Sequence, residues 1–118
     1  KLLHNYVSLG MVALLAEAAA CAAGSGVTPQ AFVDVLAQGG GGGIALERIK
    51  PYLLAQDTRG LRFSIANACK DLGYYCTMAS DAEARRDVAT AVLSTLQSAL
   101  AQSPEALVPE LASLLGKG

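Results

Sequence analysis

Aromatic side chains are scarce, making up 5% of the 118 residues against 53% hydrophobic residues in all. A core drawn from such a chain is Leu, Ala and Val, which favours closely packed helices over a ring-filled interior. A charge excess is also missing. Nine basic and ten acidic residues give a net charge of −1, which argues against a nucleic-acid surface. Arg85-Arg86 is the longest basic run and reads as a solvated helix end. Cysteine is rare and odd in number. Cys21, Cys69 and Cys76 give no disulfide framework, and no second cluster joins Cys69 and Cys76 to complete a metal site. They read as small hydrophobes in a reduced, cytoplasmic-type chain, with no metal. The one histidine, His4, reads as packing or surface, so neither a Ser-His-Asp relay nor a histidine metal site is built within the chain. The uncharged run from Tyr6 to Ala16 is interrupted by Glu17 and falls short of the roughly 20 apolar residues of a membrane span. No targeting segment and no membrane contact are expected.

Period-two alternation is absent as well, so no strand is predicted and the fold class is all-α. At this length the chain, residues 1–118, is one domain with a real core. The pattern predicts about six helices, the first of them long. Leu2 to Ala23 is Ala-rich and apolar almost all round, which predicts a largely buried helix, with Gly10, Ala13, Ala16 and Ala20 admitting a close neighbour. Gly24-Ser25-Gly26 ends it. Thr28-Pro29 reads as the cap and first position of a second helix to about Gln38. The five glycines Gly39–Gly43 predict a loop that is mobile or lies against something needing a bare backbone. A third helix spans about Ile44–Leu54, a fourth about Ser64–Asp81 and a fifth about Arg85–Gln102. The fifth carries an apolar stripe of Val88, Val92, Leu93, Leu96 and Leu100. Ser103-Pro104-Glu105 can start a last short helix, with Pro109 either in its first turn or at its start.

The glycine run is not a phosphate loop, since no strand precedes it and no Gly-Lys-Ser/Thr follows. Chemistry points elsewhere, to Lys1 and Asn5. They stand four residues apart at the head of the first helix, so an ammonium and a carboxamide share one face. Such a pair can hold a hydroxyl or carbonyl oxygen, the lysine exchanging its proton and the amide fixing its direction.

Lys1-x-x-x-Asn5, then Glu17-Ala18, Gly26-Val27-Thr28, and Phe63 followed after six residues by Lys70-Asp71-Leu72, form an ordered set. The set resembles the C-terminal domain of the β-hydroxyacid dehydrogenases, a family including 3-hydroxyisobutyrate, tartronate-semialdehyde and glyoxylate/succinate-semialdehyde reductases. The resemblance implies the fold of the 6-phosphogluconate dehydrogenase C-terminal-like domain, serving substrate binding and dimerisation. It also implies a separate N-terminal Rossmann domain before Lys1, which holds most of an NAD or NADP cofactor. The implied reaction interconverts a short β-hydroxyacid and its semialdehyde. Lys1 acts as general acid/base, and burial against an apolar cofactor face supplies the neutral amine that step needs. By the same resemblance Asn5 orients the substrate oxygen, Lys70 reaches the cofactor, Asp71 supports the lysine and nearby backbone, Phe63 lines the pocket, and Glu17 is structural. Tyr74-Tyr75 belongs to the packed core or flanks the cleft mouth. The chain departs from the family at Gly43-Ile44-Ala45, where a Ser and an aromatic are usual. It departs again at Ala84-Arg85-Arg86-Asp87, which replaces a Gly-x-Pro-x-Pro connection, and at Ser103-Pro104-Glu105 in place of a closing Gly-x-Asp-x-Asp. These departures leave the substrate open. The implied partners are a small hydroxyacid, the nucleotide-binding domain and further copies in a homo-oligomer; this chain alone is expected to be inactive. The competing readings are a non-catalytic all-α association module and an imine-reductase-like relative, against which Lys1 weighs.

Overall fold

Caps and turn residues set where each helix starts and stops in the computed structural model, which describes residues 1–116. Six α-helices result: α1 (Leu2–Gly24), α2 (Pro29–Ala37), α3 (Ile44–Ala55), α4 (Ile65–Asp81), α5 (Asp87–Gln102) and α6 (Leu111–Leu114). Single 3-10 turns lie at Thr58–Gly60 and Val108–Glu110. The all-α reading therefore stands. Gly26, at φ +83°, takes the left-handed conformation that closes many helix ends, and it terminates α1. Thr28 Oγ1 accepts from the Ala31 amide at 3.2 Å, with Pro29 following at the first helical position. Ser64 caps α4 in the same way, accepting from the Asn67 amide at 3.0 Å. Helix α5 starts two residues later than its expected start at Arg85, because Glu83 adopts φ 58° and turns the chain after α4. Ser103-Pro104-Glu105 starts no helix. Instead Pro109 sits in the first turn of the 3-10 segment that leads into α6.

Helix α1 runs through the middle of the bundle and packs on α2, α3, α4, α5 and α6. Its buried residues are Leu9, Val12, Ala13, Leu15, Ala16 and Ala20, and at the three alanines a single methyl group lets a neighbour approach closely. Around them Leu46 and Ile49 of α3, Ile65 and Leu72 of α4, Leu96 of α5, and Val108 and Leu111 complete the core. Burying one such aliphatic side chain contributes about 1.5–3 kcal/mol. Two expectations for α1 are corrected. It is not largely buried: six of its 23 residues are, and Leu3, Val7, Met11 and Leu14 lie exposed. Its apolar run also does not fall short of a span. With 23 residues and a mean hydropathy of 1.8, α1 is long and apolar enough to cross a membrane by length and composition, although one side of it forms the bundle's core. Val88, expected in the apolar stripe of α5, likewise faces solvent.

The glycine loop answers its open question. A Cβ on Gly41 would come 2.5 Å from Leu36 Cδ2, and one on Gly42 would come 3.0 Å from the Ala37 carbonyl oxygen. The bare backbone is needed where the loop folds back on the end of α2. A tighter approach occurs at Gly60. Pro51, inside α3, has no amide to donate, and the 3-10 turn lies against this part of the helix. A Cβ on Gly60 would stand 2.2 Å from the Arg48 carbonyl oxygen and 3.3 Å from Pro51 Cγ. Gly60→Ala is therefore expected to destabilise the protein by about 1–3 kcal/mol through overpacking. Gly24→Ala, with nothing near the added methyl, is expected to be neutral or slightly stabilising, and paired denaturant melts check the contrast.

Candidate active site

The head of α1 meets the middle of α4 at two adjacent points. Asn5 Nδ2 donates to Asp71 Oδ2 at 3.3 Å, in a part-buried contact between residues 66 apart in sequence. One residue along α1, the Tyr6 ring stacks on Tyr75 of α4 with centroids 4.0 Å apart and planes 20° from parallel. Asp71 and Tyr75 are four apart, so one face of α4 presents both groups to α1. Burial, with Tyr75 and Cys76 nearby, raises the Tyr6 hydroxyl above its ordinary value, so it stays protonated at neutral pH.

The bond to Asp71 decides how the Asn5 amide is turned. With its oxygen toward Asp71, the amide would set two acceptors against each other, so the nitrogen faces the carboxylate and the oxygen points away. That oxygen lies 3.3 Å from His4 Nδ1. Asn5 Oδ1 carries no hydrogen, so the His4 Nδ1 must carry the proton. Asp71, Asn5 and His4 thus form a short chain of polar groups along the head of α1. One amide hydrogen and one lone pair of Asn5 remain for a bound oxygen.

Among the residues expected at the site, the structure brings Asn5 and Asp71 together directly. Lys1 lies exposed one turn before Asn5, whose amide donates to the Lys1 carbonyl at 2.9 Å. Lys70 is exposed on α4 beside Asp71. The ion pairs among the described residues are Arg59–Asp57 and Arg85–Asp87. In this structure the side-chain partner of Asp71 is Asn5, and neither lysine is in ion-pair contact with it. Phe63 is half-buried against the core and pinned by its backbone: its carbonyl accepts from the Val108 amide at 2.7 Å, and the Ile65 amide donates to Ala106 at 3.0 Å. Glu17, expected to be paired within the packing, instead lines an open groove between α1 and α5. Tyr74 is exposed while Tyr75 stacks, so the two divide between the alternatives. His4 was set aside in the sequence because an isolated histidine carries no pattern. Tyr6 was missed too, because its ring partner lies on a distant helix.

An all-α bundle that sets a carboxamide at the head of α1 on a carboxylate of α4, with an exposed lysine one turn before the amide, is compatible with the helical domain of a nicotinamide-dependent dehydrogenase. Residues 1–107 match the family described as NAD-binding of NADP-dependent 3-hydroxyisobutyrate dehydrogenase, and the chain belongs to that family. No curated protein and no solved structure matches the chain. Family membership makes NAD(P) the cofactor. The residues present fit one side of such a molecule. Exposed Lys70 and Lys1 offer cations to an anionic ligand beside the polar Asn5–Asp71 pair.

Two outcomes check this geometry. Asn5→Asp would set a second carboxylate against Asp71, which disfavours ionisation and raises the pair's affinity for a proton in the folded state. Its penalty is therefore absent below the ordinary carboxylate range and grows as pH rises above about 4. Denaturant melts should show a loss of about 1–2 kcal/mol at pH 7 that largely disappears near pH 3, while Asn5→Ala shows no such dependence. Neutral His4 should be the Nδ1–H tautomer by its ring nitrogen-15 shifts, reverting to Nε2–H when Asp71→Ala frees the amide to turn.

Proposed function

We propose that this chain is the substrate-side domain of an NAD(P)-dependent dehydrogenase that interconverts a short β-hydroxyacid and its semialdehyde. In this reading a Rossmann-type half precedes Lys1 and holds most of the cofactor, and the enzyme works in the cytoplasm as a homo-oligomer. The observation that carries the reading is the hydrogen bond from Asn5 to Asp71. It joins two of the expected site residues across helices that the sequence keeps 66 positions apart, and it leaves Asn5 with a free donor at the head of α1.

Bound NAD(P) supplies a hydride acceptor or donor at the substrate carbon. The residues of this chain do the rest. Lys1 takes the hydroxyl proton in oxidation and returns it in reduction, its ammonium favouring negative charge on the oxygen as the carbonyl is reduced. Lys1 stands exposed here, so the burial that favours its neutral amine comes from the cofactor-binding half. Asn5 donates its remaining amide hydrogen to the same oxygen, and Asp71 fixes the amide's direction. Lys70 meets an anionic part of the cofactor, which the family's description as NAD-binding favours. Phe63 contributes an apolar wall on a segment held by the bond of its own carbonyl to Val108 and of the Ile65 amide to Ala106. A non-catalytic association module draws support from the exposed face of α1, but it gives the Asn5–Asp71 pair no task.

In the full enzyme, Lys1→Ala is expected to lower kcat by about 10²–10⁴-fold, the usual share of a general acid/base. The Kd for the cofactor should change little. Steady-state kinetics with 3-hydroxyisobutyrate and related hydroxyacids, together with cofactor titration, test both halves of the statement. Turnover at the wild-type rate would remove Lys1 from the mechanism. Residues 1–118 alone should show no hydride transfer.

A further inference from the structure

The carboxyl ends of α1 and α3, the first turn of α2 and the short α6 border a half-open cavity of about 120 Å³. It lies away from the site described above. Ala19, on its wall, is fourteen residues beyond Asn5, about 21 Å along α1. Small side chains keep the space from closing: Ala19 and Ala22 of α1 and Ala112 of α6 bring single methyl groups to it, while Phe32 and Leu53 supply apolar bulk.

One part of the wall is polar. Tyr52, nine-tenths buried, and Ser113 both line the cavity, and their hydroxyl oxygens lie 2.6 Å apart, joining α3 to α6. Either can be the donor, but two hydroxyls bonded to each other use only one of their two hydrogens. Whichever way the bond runs, one hydrogen and several lone pairs are left over. Gln56 adds a carboxamide to the same wall. It holds the left-handed cap of α3 at φ 54°, a conformation that glycine takes at less cost. A glycine there would spare the strain and lose the amide.

Charge sets the class of ligand. No charged side chain among the described residues lines the cavity. Two helix carboxyl ends border it, against one amino end that Thr28 already caps. An anion such as a hydroxyacid is therefore disfavoured. We infer that the cavity is a second binding site, for a small uncharged alcohol or phenol with an apolar body of about six carbons, since a cavity of about 150 Å³ admits benzene. The ligand's hydroxyl closes a ring of three with Tyr52 and Ser113, each donating once and accepting once. Its body lies against Phe32, Leu53 and the alanine methyls. The inference does not rest on the catalytic reading, because it concerns binding at the opposite end of α1.

Fluorine-19 NMR titration of the native gene product with 4-fluorophenol tests it. Saturable binding is expected, with a Kd of about 1 mM or tighter for a ligand of this size. Ala22→Leu, which fills the cavity, should weaken binding by about tenfold or more. Tyr52→Phe keeps the shape and removes one hydroxyl. It should weaken 4-fluorophenol by about three- to tenfold and leave fluorobenzene unchanged, and it decides the matter even if Ala22→Leu does not fold, which circular dichroism reports. Asn5→Ala should leave binding as it is. Absence of saturation, or binding indifferent to both cavity variants, would overturn the proposal. So would loss of binding in Asn5→Ala, since the probe would then sit at the candidate active site. Fluorobenzene binding as tightly as 4-fluorophenol would remove the hydroxyl pair from recognition, and 4-fluorobenzoate doing so would overturn the uncharged class.

Discussion

Everything in this domain leans on how closely other helices approach α1. Its inner face offers Val12, Ala13, Ala16 and Ala20 beside Leu9 and Leu15, and at the alanines its neighbours can rest larger residues close to its backbone. The bulk of the core then comes from outside α1, from Leu46, Ile49, Ile65, Leu72 and Leu96. A larger residue at Ala16, which has no exposed surface, would push these neighbours outward together, because interiors packed to this density have no slack to absorb a methylene. The same closeness sets the site. The contact of Asn5 with Asp71 is neighboured by the Tyr6–Tyr75 stack one residue further along, which ties the same stretches of α1 and α4 together.

Much of the fold was legible because helix signals are local. Thr28-Pro29, Ser64 and the Gly-rich ends act within one turn, and each lies where the structure puts a boundary. The start of α5 was less legible, since Glu83 adopts a left-handed conformation that no residue type announces as glycine would. The failure at α1 has a different origin. A helix apolar on all sides declares that it will be covered, but not by what, and the sequence of one chain cannot separate burial in its own core from burial against another surface.

The site shows the same division. Lys1, Asn5, Lys70 and Asp71 are singled out by an ordered motif, which says nothing of how they are arranged. The resemblance implied that Asp71 supports a lysine and the nearby backbone, and said nothing of Asn5. The structure gives Asp71 an amide, which needs less desolvation than an ammonium in a part-buried contact and leaves both lysines exposed. His4 enters the same network only because Asp71 turns the amide oxygen toward it, a consequence two steps removed from anything periodic.

The contact between α1 and α6 bears on how this protein is made. Among the described helices the first to leave the ribosome is the most apolar, and part of its cover, the segment around Val108 and Leu111, is among the last of the described residues to be synthesised. Until then the part of the inner face of α1 that this segment covers stays wet, as its outer face does. Long-range closure of this kind slows folding and exposes sticky surface to neighbouring nascent chains. Production of the protein should therefore depend on translation rate and on holding chaperones more than a six-helix bundle of this size would otherwise require.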